Sequence, residues 1–473
     1  MRLIQCLLLV VTLVTPAGAE LAKRNWPRWR TPEAAGFSSE RLAEAQSQWE
    51  AIDDAPLAAL FLAYKGRVLM SIGDVTADFE CHSVRKSFMS ALYGIHVDKG
   101  TIDLEATLDE LGIDDDTPLT RVEKQARVID LLMARSGIYI EAACESQGMK
   151  DTRPARGSHE PGSYWYYNNW DFNALGTIFR QETGRDIFRE FRKKIAQPIG
   201  MQDFRPSRCT YYFESEYSRH PCYVFRMSAR DRARFGQLFL QRGRWGKKQI
   251  IPEAWVDEST RAHSRTERLT GTPGAYYGYM WWIFKKEFFR SSTSDRRLHH
   301  LSAFFASGYG GQQILVIPDA EMVFVTTCNV PAGCFLEGEE TGPILEIILT
   351  AREIVDLKVR QAQLREKVVS TGETLHMVAK VKNLSAARTL ATTVVFYLSP
   401  VGRVGEDLRR LGSAPLAALA SGKGKTVRLA APVPAGLASG RYRLIAAVDA
   451  DKTNYDLRRN NNLKTARPVL EIR

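Results

Sequence analysis

The sequence has little that would hold a metal or another cofactor. It contains no CxxC and no HExxH motif, and its eight histidines and seven cysteines do not cluster at metal-ligand spacings. We also find no recognised nucleic-acid-binding motif and no long internal repeat. After the first twenty residues, no segment is long and apolar enough to cross a bilayer. We therefore expect a protein without cofactor, nucleic-acid partner or membrane span in its mature form.

The chain has a net positive charge, and its basic residues do not form a separate tail. Sixty-five Lys and Arg residues oppose 54 Asp and Glu residues, a formal charge of +11. The densest group lies on a predicted helix: Arg230, Arg232, Arg234, Arg242 and Arg244. A solvated basic surface is the simplest interpretation of this charge.

The N-terminus has the pattern of an export signal. Arg2 precedes an apolar stretch from Leu3 to Val14, and small residues at Ala17-Gly18-Ala19 follow. We expect residues 1–19 to be a cleaved signal peptide, with an uncleaved anchor as the alternative. The mature chain would then be exported to a bacterial periplasm or the extracellular space.

Six cysteines remain after the signal, which contains Cys6. An even number in an exported chain permits disulfides. Cys209 with Cys222, and Cys328 with Cys334, are the pairs closest in sequence. Spacing alone leaves the connectivity open.

Residues 20–355 alternate helical and strand patterns. A helix is predicted for Ser38–Ile52, and a hairpin for Ala58–Tyr64 and Arg67–Ile72 around Lys65-Gly66. Further predicted elements are helices at Ser83–Lys99, Val128–Ala134, Trp170–Thr183, Arg185–Lys194 and Ala229–Arg242, strands at Gln312–Ile317 and Met322–Thr327, and a closing helix at Ile344–Val355. This order favours an α+β domain whose sheet is completed by both ends of the segment, with a helical lobe and a cleft between them.

The pattern changes at residue 356. Short alternating strands such as Leu375–Val381, Thr392–Leu398 and Tyr442–Val448 follow one another between turn-rich stretches. Short strands at regular spacing over residues 356–473 predict a second domain, an all-β sandwich.

A Ser-x-x-Lys motif, Ser83 to Lys86, begins one of the predicted helices. Residues three apart share a helix face, so the hydroxyl and the amine can touch. Serine needs a base to become nucleophilic, and a lysine can be that base when burial lowers its pKa. The motif alone occurs by chance, with an N-cap serine and a surface lysine as its ordinary meaning.

Two later segments extend the motif. Tyr167-x-Asn169 stands just before a predicted helix, where a phenol can relay a proton and an amide can hold a carbonyl. Ala306-Ser307-Gly308-Tyr309 leads through Gly310-Gly311 into a strand, and glycines there permit close approach of a ligand to the backbone.

Together these segments resemble the serine β-lactamase, penicillin-binding-protein and carboxylesterase family, in particular its class C-like members. The resemblance rests on SVRKSFMSALYGIHVDKGTIDLEATL, PGSYWYYNNWDFNALG and ASGYGGQQILVIPD, and covers about Trp29 to Val355. It implies an antiparallel sheet with flanking helices. The segment from Asp356 onward is similar to the CARDB modules, which are immunoglobulin-like.

The resemblance also implies roles for individual residues. Ser83 would be the acylated nucleophile, and Lys86 and Tyr167 would share the acid–base work. Asn169 would bind substrate or position Lys86. Ser307 and Gly308 match the last two residues of the family's third motif, and the amides of Ser83 and Tyr309 would form the oxyanion hole.

Ala306 departs from the family, which has Lys or His at this position to bind a substrate carboxylate. This favours hydrolysis of an ester or a linear amide, as in carboxylesterases and aminohexanoate-dimer hydrolases, over a β-lactamase or DD-peptidase. His299 or His300 is a weaker candidate to supply the missing cation. Arg85 is expected to face away from the site.

The alternatives are a DD-peptidase or β-lactamase acting on peptidoglycan or β-lactams, and a non-catalytic envelope-binding protein that retains the fold. We expect a small-molecule or peptide-like ester or amide as substrate. The C-terminal domain is a candidate to bind a cell-envelope polymer or protein.

Overall fold

The computed structural model describes residues 25–401, 407–456 and 458–473. The expected signal peptide, residues 1–19 with Cys6, lies outside them. Within the described residues, no helix combines the length and the apolar character that a membrane crossing requires.

Backbone contacts divide the described chain into two compact units. One holds residues 45–346 with the described residues up to Trp29, and the other holds Arg30–Glu44 with Ile347–Arg473. The helices are α1 Ser39–Glu50, α2 Arg85–Val97, α3 Val128–Leu132, α4 Gln147–Thr152, α5 Asn169–Thr183, α6 Ile187–Phe191, α7 Ala229–Leu240, α8 Glu253–Ser259, α9 Glu267–Thr270, α10 Lys286–Ser292 and α11 Gly338–Thr350.

The strands of the first unit are β1 Ala58–Tyr64, β2 Arg67–Ile72, β3 Asp78–Glu80, β4 Thr210–Tyr212, β5 Cys222–Val224, β6 Arg226–Ser228, β7 Arg244–Trp245, β8 Lys248–Gln249, β9 Ser264–Arg265, β10 Ala275–Tyr277, β11 Trp282–Phe284, β12 Ala303–Gly308, β13 Gln312–Ile317 and β14 Met322–Cys328. Eight of them form one sheet in the order β2-β1-β14-β13-β12-β11-β10-β9. Neighbouring strands are antiparallel throughout. The first two strands lie beside the last one, which confirms that both ends of the segment complete the sheet.

Local sequence explains the hairpin that begins this sheet. Every residue of β1 is buried, in accord with its continuous apolar run between two neighbouring strands. Lys65 and Gly66 both have positive φ, at 49° and 71°. A two-residue turn with two positive φ angles matches the twist of paired strands, so the chain reverses here as predicted.

The structure corrects two of the predicted helix boundaries. The helix expected from Ser83 begins at Arg85, because His82–Val84 forms a 3₁₀ turn. The helix expected at Ile344–Val355 runs from Gly338 to Thr350, and Ile354–Val355 is a short strand, β15. Pro343 lies inside α11, at its sixth residue, where it removes the backbone hydrogen bond to the carbonyl four residues earlier.

The second unit is the expected β-sandwich. Its further strands are β16 Leu357–Leu364, β17 Val368–Val369, β18 Thr374–Asn383, β19 Thr392–Pro400, β20 Arg409–Leu416, β21 Gly424–Pro432, β22 Gly440–Val448, β23 Tyr455–Asp456 and β24 Leu463–Ile472. One sheet has the order β16-β18-β21 and the other β17-β24-β22-β19-β20. Buried apolar residues from both sheets form one core, in which Val381 of the first sheet and Phe396 of the second take part.

Candidate active site

Ser83 and Lys86 lie on either side of the junction between the 3₁₀ turn and α2. The turn begins at His82, whose φ is 45°, and α2 continues from Arg85. Lys86 Nζ donates a hydrogen bond of 2.7 Å to Ser83 Oγ. The spacing of three residues therefore brings hydroxyl and amine together as predicted, although Ser83 precedes the α-helix.

The amine of Lys86 is enclosed by protein. The residue is only 2% exposed, and every residue of α2 from Arg85 to His96 is buried. Desolvation, with the positive charge of Arg85 as a second cause, lowers the pKa of Lys86 well below its ordinary value. A neutral amine can accept the proton that Ser83 must lose.

Tyr167 closes the other side of the lysine. The centre of its ring lies 4.7 Å from Lys86 Nζ, and that of Phe172 lies 4.9 Å from the same atom. The Tyr167 phenol lies within interaction distance of the Ser83 side chain, and burial raises the pKa of Tyr167 to about 12. It is therefore a neutral phenol at neutral pH, able to donate a proton.

Asn169 is the first residue of α5, and its side chain lines the same space. Its Nδ2 donates to the carbonyl of Cys144. Its Oδ1 is buried and has no hydrogen-bond partner among the described residues. An unpaired buried acceptor next to the nucleophile suits an N–H donor of a bound molecule.

The start of α5 is held by a buried polar cluster. Asn168 is its N-cap and accepts from Trp170 N, while Asn168 Nδ2 donates to Asp171 Oδ1 at 2.8 Å. Ser136 Oγ donates to the same carboxylate oxygen at 2.5 Å. These bonds position Tyr167 and Asn169, because both residues adjoin the anchored cap.

The end of strand β12 meets the turn that carries Ser83. Gly308 pairs with Gln312 of β13. A Cβ on Gly308 would lie 2.6 Å from Cys81 O and 3.1 Å from Ser83 N, so only glycine fits without displacement. This contact places the backbone after Gly308 beside the Ser83 amide, where a two-amide oxyanion hole requires it.

The other two glycines of this segment contact the loop after β14 and also line the cavity that contains Ser83. Gly310 and Gly311 have φ of 76° and 80°. A Cβ on them would meet Val330 at 2.3 Å and the Leu336 carbonyl at 2.4 Å, respectively. They accommodate the packed loop after β14, and because they also line the cavity, the ligand approach that the sequence suggested stays a prediction.

The three motif segments share one cavity of about 1580 Å³. Ser83, Tyr167 and Asn169 line it together with Ser307, Gly308 and Tyr309. Sequence reasoning named Tyr309 only for its amide and missed the aromatic rim that its ring forms with three residues from distant segments: Trp282, Phe288 and Phe335.

The sequence profile of the Beta-lactamase family matches residues 49–341, more than half of the chain. The chain belongs to the Beta-lactamase family. A second profile, CARDB, matches residues 354–466. Members of the Beta-lactamase family with this fold are serine hydrolases.

Solved structures with the same fold are distant in sequence. A proposed 6-aminohexanoate-dimer hydrolase from Bacillus anthracis is 19% identical, covers 69% of this chain and 86% of its own, and has a TM-score of 0.48. A class C β-lactamase from Rhodobacter sphaeroides is 17% identical (66% and 99% coverage, TM-score 0.47). A family VIII carboxylesterase is 16% identical (67% and 99%, TM-score 0.49). No curated protein matches the sequence.

Ala306 supplies no charge to the cavity of this family member. It is 2% exposed and packs in the hydrophobic core, whereas the next residue, Ser307, lines the cavity. His299 and His300 are not among the residues that line the cavity, and His299 Nε2 contacts Thr293 O at 3.0 Å. Neither histidine replaces the family's cation.

Arg85 lines the cavity, contrary to our expectation from its position on the helix. Its guanidinium stacks on Tyr223 at 4.4 Å and donates to Asn173 Oδ1 at 3.0 Å. Among the described cavity-lining residues, it is the one arginine, and no lysine accompanies it. Its side chain is only 3% exposed, and its charge contributes to the lowered pKa of Lys86.

One of the two cysteine pairs closest in sequence is bonded. Cys328 and Cys334 form a disulfide. Cys209 and Cys222 do not, because the register of β4 and β5 sets Cys222 opposite Tyr212. Cys209 is three positions further along the strand, about 10 Å away at the usual rise per residue.

Proposed function

We propose that this protein is a serine hydrolase that cleaves an ester or a linear amide through an acyl-enzyme on Ser83. The observation that carries the proposal is the 2.7 Å contact between Ser83 Oγ and the buried amine of Lys86. Family membership supports a serine hydrolase, and the site supports the assignment of the nucleophile.

In the proposed acylation, neutral Lys86 takes the Ser83 proton as Oγ attacks the substrate carbonyl carbon. The amides of Ser83 and Tyr309 stabilise the oxyanion that forms. The neutral phenol of Tyr167 protonates the departing alkoxide or amine, and the proton on Lys86 restores the phenol. Water then attacks the acyl group as neutral Lys86 takes its proton, and that proton passes to Ser83 Oγ as the acid product leaves.

The cavity wall supports the choice of substrate. Ala306 presents no cation to a substrate carboxylate, and Arg85 is buried against Tyr223. Four carboxylate residues line the same cavity: Glu80, Glu145, Glu337 and Glu339. Glu145 pairs with Arg153 and Glu80 with His82, so it is Glu337 and Glu339 whose charge disfavours the anionic carboxylate of β-lactams and peptidoglycan stem peptides, since like charges repel.

The test is a hydrolysis screen of the full chain with p-nitrophenyl esters, short linear amides, nitrocefin and D-Ala-D-Ala peptides. We expect ester or amide turnover to exceed nitrocefin turnover. Ser83→Ala should abolish both turnover and labelling by a fluorophosphonate. Equal labelling of the wild type and Ser83→Ala would refute the nucleophile, and a preference for nitrocefin would refute the substrate class.

We further propose that the protein is exported, on the basis of the N-terminal pattern and the Cys328–Cys334 disulfide, since disulfides persist in oxidising compartments. N-terminal sequencing of the mature protein from a periplasmic fraction should begin after Ala19. Recovery of the uncleaved chain from the cytoplasm would contradict export.

A further inference from the structure

Two cysteines in the wall of the cavity lie against each other. The thiols of Cys144 and Cys222 lie within interaction distance of each other, although 78 positions separate them in the sequence. Both residues line the cavity that contains Ser83. No sequence spacing predicts this pair, because the fold brings the two segments together.

Hydrogen bonds to two different parts of the chain hold the segment that carries Cys144. Its N–H donates to Glu214 Oε2 at 2.7 Å, and its carbonyl accepts from Asn169. The preceding carbonyl, of Ala143, accepts from Asn173 Nδ2 at 3.0 Å. Asn169 and Asn173 are four residues apart and therefore lie on one face of α5.

Cys222 begins β5, on the opposite side of the contact. It is 2% exposed, and its neighbour Tyr223 supports the Arg85 guanidinium. The contact with Cys144 and the charge of Arg85 together lower the pKa of Cys222 to about 7, whereas the pKa of Cys144 is raised. A thiol of this kind reaches the thiolate form that disulfide exchange requires.

We propose that Cys144 and Cys222 are a disulfide site, whose bond joins the Cys144 segment to β5 across the wall of the catalytic cavity. The oxidant is a small disulfide such as oxidised glutathione, or an equivalent protein disulfide. One thiolate of the pair attacks the oxidant and expels a thiolate, forming a mixed disulfide. The second cysteine attacks the mixed disulfide at the protein sulfur and expels the second thiolate. The two protons of the cysteines pass to the two expelled thiolates, so two thiols are oxidised and one disulfide is reduced.

The bond has a consequence for the site. The hydrogen bond that Asn169 Nδ2 donates to the Cys144 carbonyl orients the Asn169 side chain. A disulfide at Cys144 would hold that carbonyl in place. It would also remove the thiols of Cys144 and Cys222 from the neighbourhood of Lys86, and of these Cys222 has the lowered pKa. Because thiolates there favour the ammonium form, their removal favours the neutral amine.

The first test is peptide mapping of the full chain after incubation with oxidised glutathione, without a reductant. We expect a cross-linked peptide pair containing Cys144 and Cys222, in addition to Cys328–Cys334. Cys81 and Cys209 should remain as alkylatable thiols. Recovery of Cys144 and Cys222 as free thiols, as glutathione adducts, or paired with other cysteines would overturn the proposal.

A second test separates the two bridges by thermal unfolding. The double variant Cys328→Ser/Cys334→Ser retains only the proposed bond, and dithiothreitol should lower its Tm by roughly 5–10 °C. The matched variant Cys144→Ser/Cys222→Ser should form no cross-link in this wall. If reductant leaves the Tm of the first variant unchanged, there is no stabilising bond at this position. Mapping of the wild type decides the question even if either variant fails to fold.

Discussion

The interiors of the two units differ in the polarity of what they bury. In the C-terminal unit, apolar side chains such as Leu444 and Phe396 form the core between the sheets, and its buried carboxylates, such as Asp449, lie outside that core. In the catalytic unit, the central helix α2 buries Arg85 and Lys86 as completely as its apolar neighbours. Burying a charged group costs free energy of desolvation, whereas burying an apolar side chain is favourable. The difference indicates that α2 is shaped by its chemistry as well as by stability.

The largest expected effect is that of Lys86→Met. Loss of the base should lower kcat by about 10³-fold, a typical contribution of general base catalysis. The same change should raise the free energy of unfolding by on the order of 1 kcal/mol, because an apolar side chain replaces a buried amine. Ester hydrolysis and urea unfolding measure the two quantities.

Lys99→Met is the control for this change, since Lys99 is exposed just beyond the end of α2. It should alter neither quantity. If Lys86→Met instead lost stability and kept its activity, Lys86 would be buried for stability, as the side chains of the sandwich core are, and the proposed contrast between the two interiors would fail.

The second prediction tests the apolar interior. Leu444→Ala should lower the free energy of unfolding of the C-terminal unit by about 3 kcal/mol, through lost burial and a residual cavity. It should leave kcat/KM unchanged, because the described cavity-lining residues all belong to the other unit. Val401→Ala, at a position 39% exposed, is the matched control and should have little effect on stability. A large loss of activity in Leu444→Ala would show that the core of the sandwich supports catalysis.

The third prediction concerns pH. Lys86 must be neutral to act as base, and its pKa is lowered in the folded protein. We therefore expect kcat/KM to rise with pH along an acid limb, by about tenfold per unit at low pH, and to level off well below the ordinary lysine pKa. A limb centred near the ordinary lysine value would mean that burial does not neutralise the amine. The pKa of Tyr167, about 12, places loss of its proton above the range of the assay.

The smallest expected effect is that of Ser307→Ala. Ser307 lines the cavity at the end of β12 and offers one hydroxyl to a substrate. Its loss should lower kcat/KM about threefold to tenfold, the value of a single neutral hydrogen bond. Steady-state kinetics with the best ester from the screen measures this change. A loss as large as that of Lys86→Met would instead place Ser307 among the residues that move protons.

Local spacing along the chain determines much of this protein. The Ser83–Lys86 contact follows from helical geometry, and the β1–β2 hairpin follows from an apolar run and a two-residue turn. The order of helices and strands was sufficient to predict a sheet completed by both ends of its segment, and a sandwich after it. These features depend on residues close in the chain, where bond geometry limits the possible contacts.

Tertiary structure decided what depends on distant segments. It placed Arg85 in the cavity wall beside Tyr223, and it separated Cys209 from Cys222 through the register of β4 and β5. It also assembled the aromatic rim and brought Cys144 against Cys222. Such contacts depend on how whole elements pack, and no short pattern in the sequence specifies that packing.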